Sequence, residues 1–199
     1  QVFTDLAAMQ RQNHPETSRM AYVAAHTVSS WHLGTDTSAI AQRAAAAKAS
    51  GSTAVLVLYN IPHRDCGNAG LNAQAYRQWM AGVAAAIGQA KAIVILEPDA
   101  ISMVDCLSQP LAAERYSLLS GAVTTLKRNV NTKVYLDGGH SAWHSAEDET
   151  QRLVSANIQA ADGFSINVSN YRSLEELLPY GQAIAEFVGK NFIVDTSRN

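Results

Sequence analysis

Three acidic residues stand in contexts suited to acid–base chemistry. Asp65 lies in Tyr59-Asn-Ile-Pro-His-Arg-Asp65-Cys66, Asp99 ends Glu97-Pro98-Asp99, and Asp137 opens Asp137-Gly-Gly-His140-Ser-Ala-Trp143-His144. Two more polar clusters follow, Asn167-Val-Ser-Asn170-Tyr171 and Asp195-Thr-Ser-Arg198-Asn199. Paired carboxylates flanked by aromatic rings are what glycoside hydrolysis needs. One acid protonates the leaving oxygen, another group manages water, and flat rings stack on sugars.

Each cluster follows a short apolar run rich in β-branched residues: 55–59, 93–96, 133–137, 163–167 and 192–195. A less regular run over 22–33 is expected to make a first strand ending near Trp31. Runs apolar on both faces read as buried parallel strands. Helical patterns fill the gaps. Residues 38–50 are Ala-rich with Asp36 or Thr37 as N-cap. Residues 73–90 carry Tyr76, Trp79, Met80, Val83 and Ile87 at helical spacing, with Trp79 expected in the core, and 111–127 is similar. Ser145-x-x-Asp148 and Ser173-x-x-Glu176 resemble capping boxes. Strand and helix alternating about every 30–40 residues predict βα units around a parallel sheet, whose chemistry collects at the strands' C-terminal ends. No linker or low-complexity tract divides residues 1–199, so one domain is expected. A closed eight-unit barrel takes ~250 residues. Five strands, or six with the first, predict a barrel incomplete at its C-terminus.

Composition narrows the class further. Fifteen basic and seventeen acidic residues leave a net charge of -2, which supplies no excess cation for nucleic acid. Charged residues make up 16%, below the usual ~25%, so the surface suits a neutral polar ligand. No run reaches the ~18 apolar residues of a membrane span, and no Lys/Arg-led signal segment opens the chain. No cofactor motif is present, and none is expected to be needed.

The five clusters, in order from Trp31 onward, resemble those of glycoside hydrolase family 6, the secreted cellulases acting on β-1,4-glucan. The resemblance implies a distorted (β/α) parallel barrel related to the TIM barrel and an inverting mechanism. Asp99 matches the general acid. Asp65 matches a second carboxylate that raises the acid's pKa and helps order water. Tyr59 matches a tyrosine that crowds the sugar at the cleavage point. Trp31 and Trp143 match stacking platforms, while Asp137, His140, Asn167 and Asn170 would bond sugar hydroxyls or water. A Cys66–Cys106 disulfide is the family's pattern and fits an exported enzyme. The family's late Lys, Gly-Glu and Asp segment would lie beyond Asn199, so the base has no candidate here. The expected partner is cellulose or cello-oligosaccharide, with no nucleic acid and no membrane. The expected form is a monomer, with a carbohydrate-binding module as a possible attachment.

Other readings stay open at this level. Asp99 could cap a helix starting near Ala100, Asp65 could simply pair with Arg64, and Asp137 is as readily structural as ligand-binding. The two cysteines could be reduced. His140 is by itself more often structural, and His140 and His144 stand at i, i+4 without a convincing third metal ligand. Asn167-Val-Ser169 is a formal glycosylation acceptor, but its position inside the expected cleft argues against modification. Only nine residues, 67–75, separate Cys66 from Tyr76, which favours an open, endo-acting cleft over a roofed, exo-acting tunnel. A non-catalytic glucan-binding module, or a metal-dependent deacetylase using Asp65, His140 and His144, are the rivals from other classes.

Overall fold

The computed structural model describes residues 29–198, and those from Trp31 onward form one compact unit. The expected first strand falls partly outside the described residues. Its described part is β1, Ser30–His32. The chain then alternates through α1 (Ser38–Ser50), β2 (Ala54–Leu58), α2 (Ala73–Ile87), β3 (Ala92–Leu96), α3 (Gln109–Leu126), β4 (Thr132–Asp137), α4 (Ala146–Ser155), β5 (Gly163–Ile166), α5 (Leu174–Val188) and β6 (Asn191–Val194).

Local chemistry sets the helix boundaries. Asp36 Oδ1 accepts from the Ser38 N–H at 2.9 Å, and α1 stops at Gly51. Asn72 caps α2 through the Ala75 N–H. Ser145 and Ser173 accept from the N–H groups of Asp148 and Glu176, as the capping-box spacing predicts. Helix α2 ends at Ile87, before residue 90, because Gly88 leaves the helical conformation.

The six strands pair in the order β1-β2-β3-β4-β5-β6, and β2 to β6 run parallel. Strand alternation sends Leu56, Leu58, Val94, Leu96, Val134, Leu136, Phe164 and Ile166 into one large core shared with the helices. The opposite face buries only a small cluster of Val57, Ile95 and Val168, with Ile193 against it. Helices on one face and strictly consecutive strands are the wall of a singly wound barrel, not a doubly wound sheet. Among the described strands that wall is open, with β1 and β6 at its edges.

Register aligns the strand ends. Leu58 pairs with Leu96, Leu96 with Leu136, and Asp137 with Ser165. The residues that follow therefore emerge side by side along one rim.

Candidate active site

The rim gathers most of the chemistry-bearing residues. Past β2, Tyr59 and Trp31 pack edge to face, with ring centroids 5.3 Å apart, and the Arg64 guanidinium lies over the Tyr59 ring, 4.4 Å from its centroid. The Tyr59 hydroxyl donates to Asp65 Oδ1, and Arg64 Nε donates to Asp65 Oδ2 at 3.1 Å. The pairing of Asp65 with Arg64 thus exists, alongside the bond to Tyr59. Burial, then the hydrogen bond to Asp65, holds the Tyr59 hydroxyl well above its ordinary pKa, so it stays a neutral donor. Half of the Asp65 side chain is exposed.

Asp65 and Asp99 line the same narrow cleft, together with Ile61, Arg64, Met103 and Arg115. The Asp99 carboxyl is raised above the usual carboxylate range, first by burial and second by the Asp65 charge. The apolar wall beside Asp99 comes from Pro98, Ala100 and Met103 of its own turn and from Ile61 of the loop after β2. Asp99 has φ 68° and Glu97 φ 53°. Left-handed conformations in non-glycine residues cost on the order of 1–3 kcal/mol each and persist where the surroundings over-determine them. No helix starts at Ala100: turns lead to Val104–Cys106, and α3 begins at Gln109.

Two of the expected sugar ligands, Asp137 and Asn167, are buried at their strand ends. Asp137 is 2% exposed, and its Oδ2 accepts from the N–H groups of Asp99 (2.9 Å) and Gly139 (3.2 Å). Burial, then the Asp99 charge, pushes its carboxyl well above the ordinary range. Of its two open readings, the structural one matches these contacts. Asn167 is fully buried with φ 65°. Its amide donates to the Asp195 carbonyl at 2.9 Å and accepts from the Arg172 N–H at 3.0 Å. Both polar ends of Asn167 hold main chain, which fixes the loop that carries Asn170. Asn170 itself is half-buried at the rim.

Trp143 packs against two imidazoles, His140 at 5.3 Å and His144 at 6.1 Å between ring centroids. His144 Nε2 donates to the Ser102 carbonyl at 2.7 Å, tying this loop to the one after Asp99. Burial, then the charges of Arg172 and His144, lowers the His140 pKa. Gly139 makes the approach possible, since a Cβ there would sit 2.4 Å from Ser102 Oγ, at φ +59°. Among the described residues no three His, Cys, Asp or Glu side chains gather closely enough to hold a metal ion. The set Asp65, His140 and His144 does not converge.

Cys66 and Cys106 form a disulfide with Cα atoms 5.7 Å apart, joining the segments that follow Asp65 and Asp99. Two residues that sequence reasoning overlooked lie beneath them. Glu97 is fully buried, and its Oε2 accepts from the N–H groups of Asn60 (2.7 Å) and Ile61 (3.0 Å). Burial pushes its carboxyl up to about 7. Arg115 is 2% exposed and donates to the carbonyls of Pro62, His63 and Ala100. A signal for Arg115 did exist: a charged residue on the stripe of Leu118, Leu119, Ala122 and Val123, the buried face of α3.

Comparison with known proteins follows the same lines. Endoglucanase 1 of Streptomyces sp. (strain KSM-9) is 40% identical over 177 residues, covering 85% of this chain and 49% of that protein. Endoglucanase A of Thermobispora bispora is 38% identical over 164 residues, covering 77% of this chain and 36% of that one. The chain thus spans about half or less of these curated relatives. The solved endoglucanase Cel6 of Mycobacterium tuberculosis, in complex with a methyl-cellobiosyl-4-deoxy-4-thio-β-D-cellobioside, matches with a TM-score of 0.91. It is 39% identical, over 97% of this chain and 70% of that one. The family model described as glycosyl hydrolases family 6 matches residues 2–199. With the resemblance carried by the rim residues, the open parallel wall and this match over nearly the whole sequence, the chain belongs to glycosyl hydrolases family 6.

Proposed function

We propose that this chain carries the acid side of the catalytic centre of an endo-acting β-1,4-glucanase that inverts the anomeric carbon. The observation that carries the reading is the Asp65–Asp99 pair in one narrow cleft, with Asp99 held above the ordinary carboxylate range by burial and by Asp65. A carboxyl that keeps its proton near working pH can give it to the leaving sugar oxygen. Asp65, tied to Tyr59 and Arg64, is the second carboxylate, raising the acid's pKa and helping to order water. A retaining mechanism needs a nucleophilic carboxylate about 5–5.5 Å from the acid, facing the anomeric carbon. Asp137 and Glu97 are buried under main-chain donors and cannot serve. Trp31 at 41% exposure and Trp143 offer stacking surfaces, and Asn170 and His140 offer polar contacts.

An open cleft follows from the short connection after the disulfide. Residues 67–72 are all that separate Cys66 from α2, too few to roof the site. The relatives above are named endoglucanases, which supports the same reading. The substrate is cellulose or soluble β-1,4-glucan. We further propose a single catalytic domain acting as a monomer, and secretion, in keeping with its disulfide. The test is product analysis with the natural full-length protein. The viscosity of a soluble cellulose derivative should fall faster than reducing ends appear, and proton NMR should show the α-anomer first. A β-anomer appearing first would overturn the inverting reading. A proportional release of cellobiose without viscosity loss would point to exo action.

A further inference from the structure

Beneath the cleft, the two loops that carry Asp65 and Asp99 are held by one side chain from a third element. Arg115, on α3, sends Nη1 to the Ala100 carbonyl at 3.1 Å and Nη2 to the carbonyls of Pro62 (2.9 Å) and His63 (2.7 Å). The first acceptor lies one residue past Asp99, and the others lie two and three residues before Asp65. Glu97 completes the arrangement by taking the N–H groups of Asn60 and Ile61. The loop after β2 therefore has two of its donors satisfied by a buried carboxyl group and two of its acceptors by a buried guanidinium. A backbone with left-handed His63, Asp65 and Cys66 has no regular ladder of its own to do this.

Resting on the proposed Asp65–Asp99 pair, we infer that Arg115 is a positioning residue that sets how closely the Asp65 loop approaches Asp99. The guanidinium is planar and rigid, so its two terminal nitrogens fix the separation of the carbonyls they bind. A lysine has one nitrogen and cannot hold both loops at that spacing. The disulfide alone does not define the approach, because it joins residues 66 and 106, the latter seven positions past Asp99. Burial lowers the Arg115 pKa, and the negative charges of Glu97 and Asp65 offset part of the cost of taking the guanidinium out of water. The groups facing Asp99 are Asp65, Tyr59 and Asp137. Of these, Asp65 is the one whose loop Arg115 holds at two carbonyls.

The test is a double-mutant cycle in the full-length protein, with Arg115→Lys, Asp65→Asn and the pair, reading kcat, KM and the pH profile of kcat/KM on soluble β-glucan. Arg115→Gln is made in parallel, so the cycle needs only one replacement to fold. Arg115→Lys should lower kcat by roughly ten- to hundred-fold, the scale of a misplacement of about 1 Å, with KM within about two-fold. It should also move the basic limb toward acid. In the Asp65→Asn background the same change should leave the limb where Asp65→Asn put it, because a residue acting through Asp65 has nothing left to act on. A limb that stays put in Arg115→Lys, or moves equally in both backgrounds, would overturn the inference. So would a chain that folds with neither replacement, since Arg115 would then serve folding alone. Failure of the underlying pair looks different: Asp65→Asn by itself would keep the wild-type rate and limb, and this inference would fall with it.

Discussion

The main-chain N–H of Asp99 donates to Oδ2 of Asp137 across 38 residues of sequence, at 2.9 Å. This bond runs from the end of β4 to a left-handed residue just past β3. The position of the proposed acid is thus set by a carboxylate buried below it. Asp137→Ala should leave the Asp99 and Gly139 N–H groups without that acceptor and let Asp99 shift. The expected loss in kcat is about 10²-fold, with the Kd for a cello-oligosaccharide changed only slightly. Calorimetric binding beside steady-state kinetics checks this. Affinity lost by more than about ten-fold with kcat intact would mean that Asp137 contacts sugar.

Reduction of the Cys66–Cys106 bridge should loosen both loops of the cleft. The closed loop has a sequence separation of 40, for which chain-entropy reasoning gives about 4 kcal/mol of stability. Urea unfolding with and without reductant measures the difference. Thiol titration of the denatured, unreduced protein should find no reactive thiol from this pair.

Glu149, fully buried on α4, accepts from Ser102 Oγ at 3.2 Å, and burial pushes its carboxyl up to about 7 from an ordinary 4.5. The folded chain therefore holds this proton more tightly than the unfolded chain. The resulting stabilisation is full below about pH 4.5 and is lost as pH rises through about 7. Glu149→Gln should remove up to about 3 kcal/mol of that decline. Glu97, shifted in the same direction, should leave part of it in place. Urea midpoints across this window are the measurement; an undiminished slope in Glu149→Gln would contradict the assignment.

Much of this architecture can be read in the sequence, and the reason is locality. Strand runs and capping boxes are patterns of neighbours, so β2 to β6 and the caps at Ser145 and Ser173 stand where the pattern puts them. The disulfide follows from resemblance to a family, not from spacing. The site's supports are not local. Asn167 and Asp137 look like ligands in sequence because polar residues at strand ends usually face the cleft. Their burial becomes visible only when Arg172, Asp195, Asp99 and Gly139 are folded around them. The wall beside Asp99 has this origin only in part: Ile61 comes from the loop after β2, while Pro98, Ala100 and Met103 are its neighbours in sequence. Arg115 carries a weak signal as a charge on an apolar stripe, but its targets at Pro62, His63 and Ala100 are set by tertiary structure.

The central claim is that Asp99 gives a proton to the leaving sugar, and leaving-group dependence tests it most directly. A glucose hydroxyl leaves poorly unless protonated, and general acid catalysis contributes about 10²–10⁴-fold. Asp99→Ala, assayed in the full-length protein, should therefore lose a factor of that order on an unactivated cello-oligosaccharide. On an aryl cellobioside whose phenolate leaves readily, it should lose far less. Equal losses on the two substrates would contradict the assignment of Asp99 as the acid.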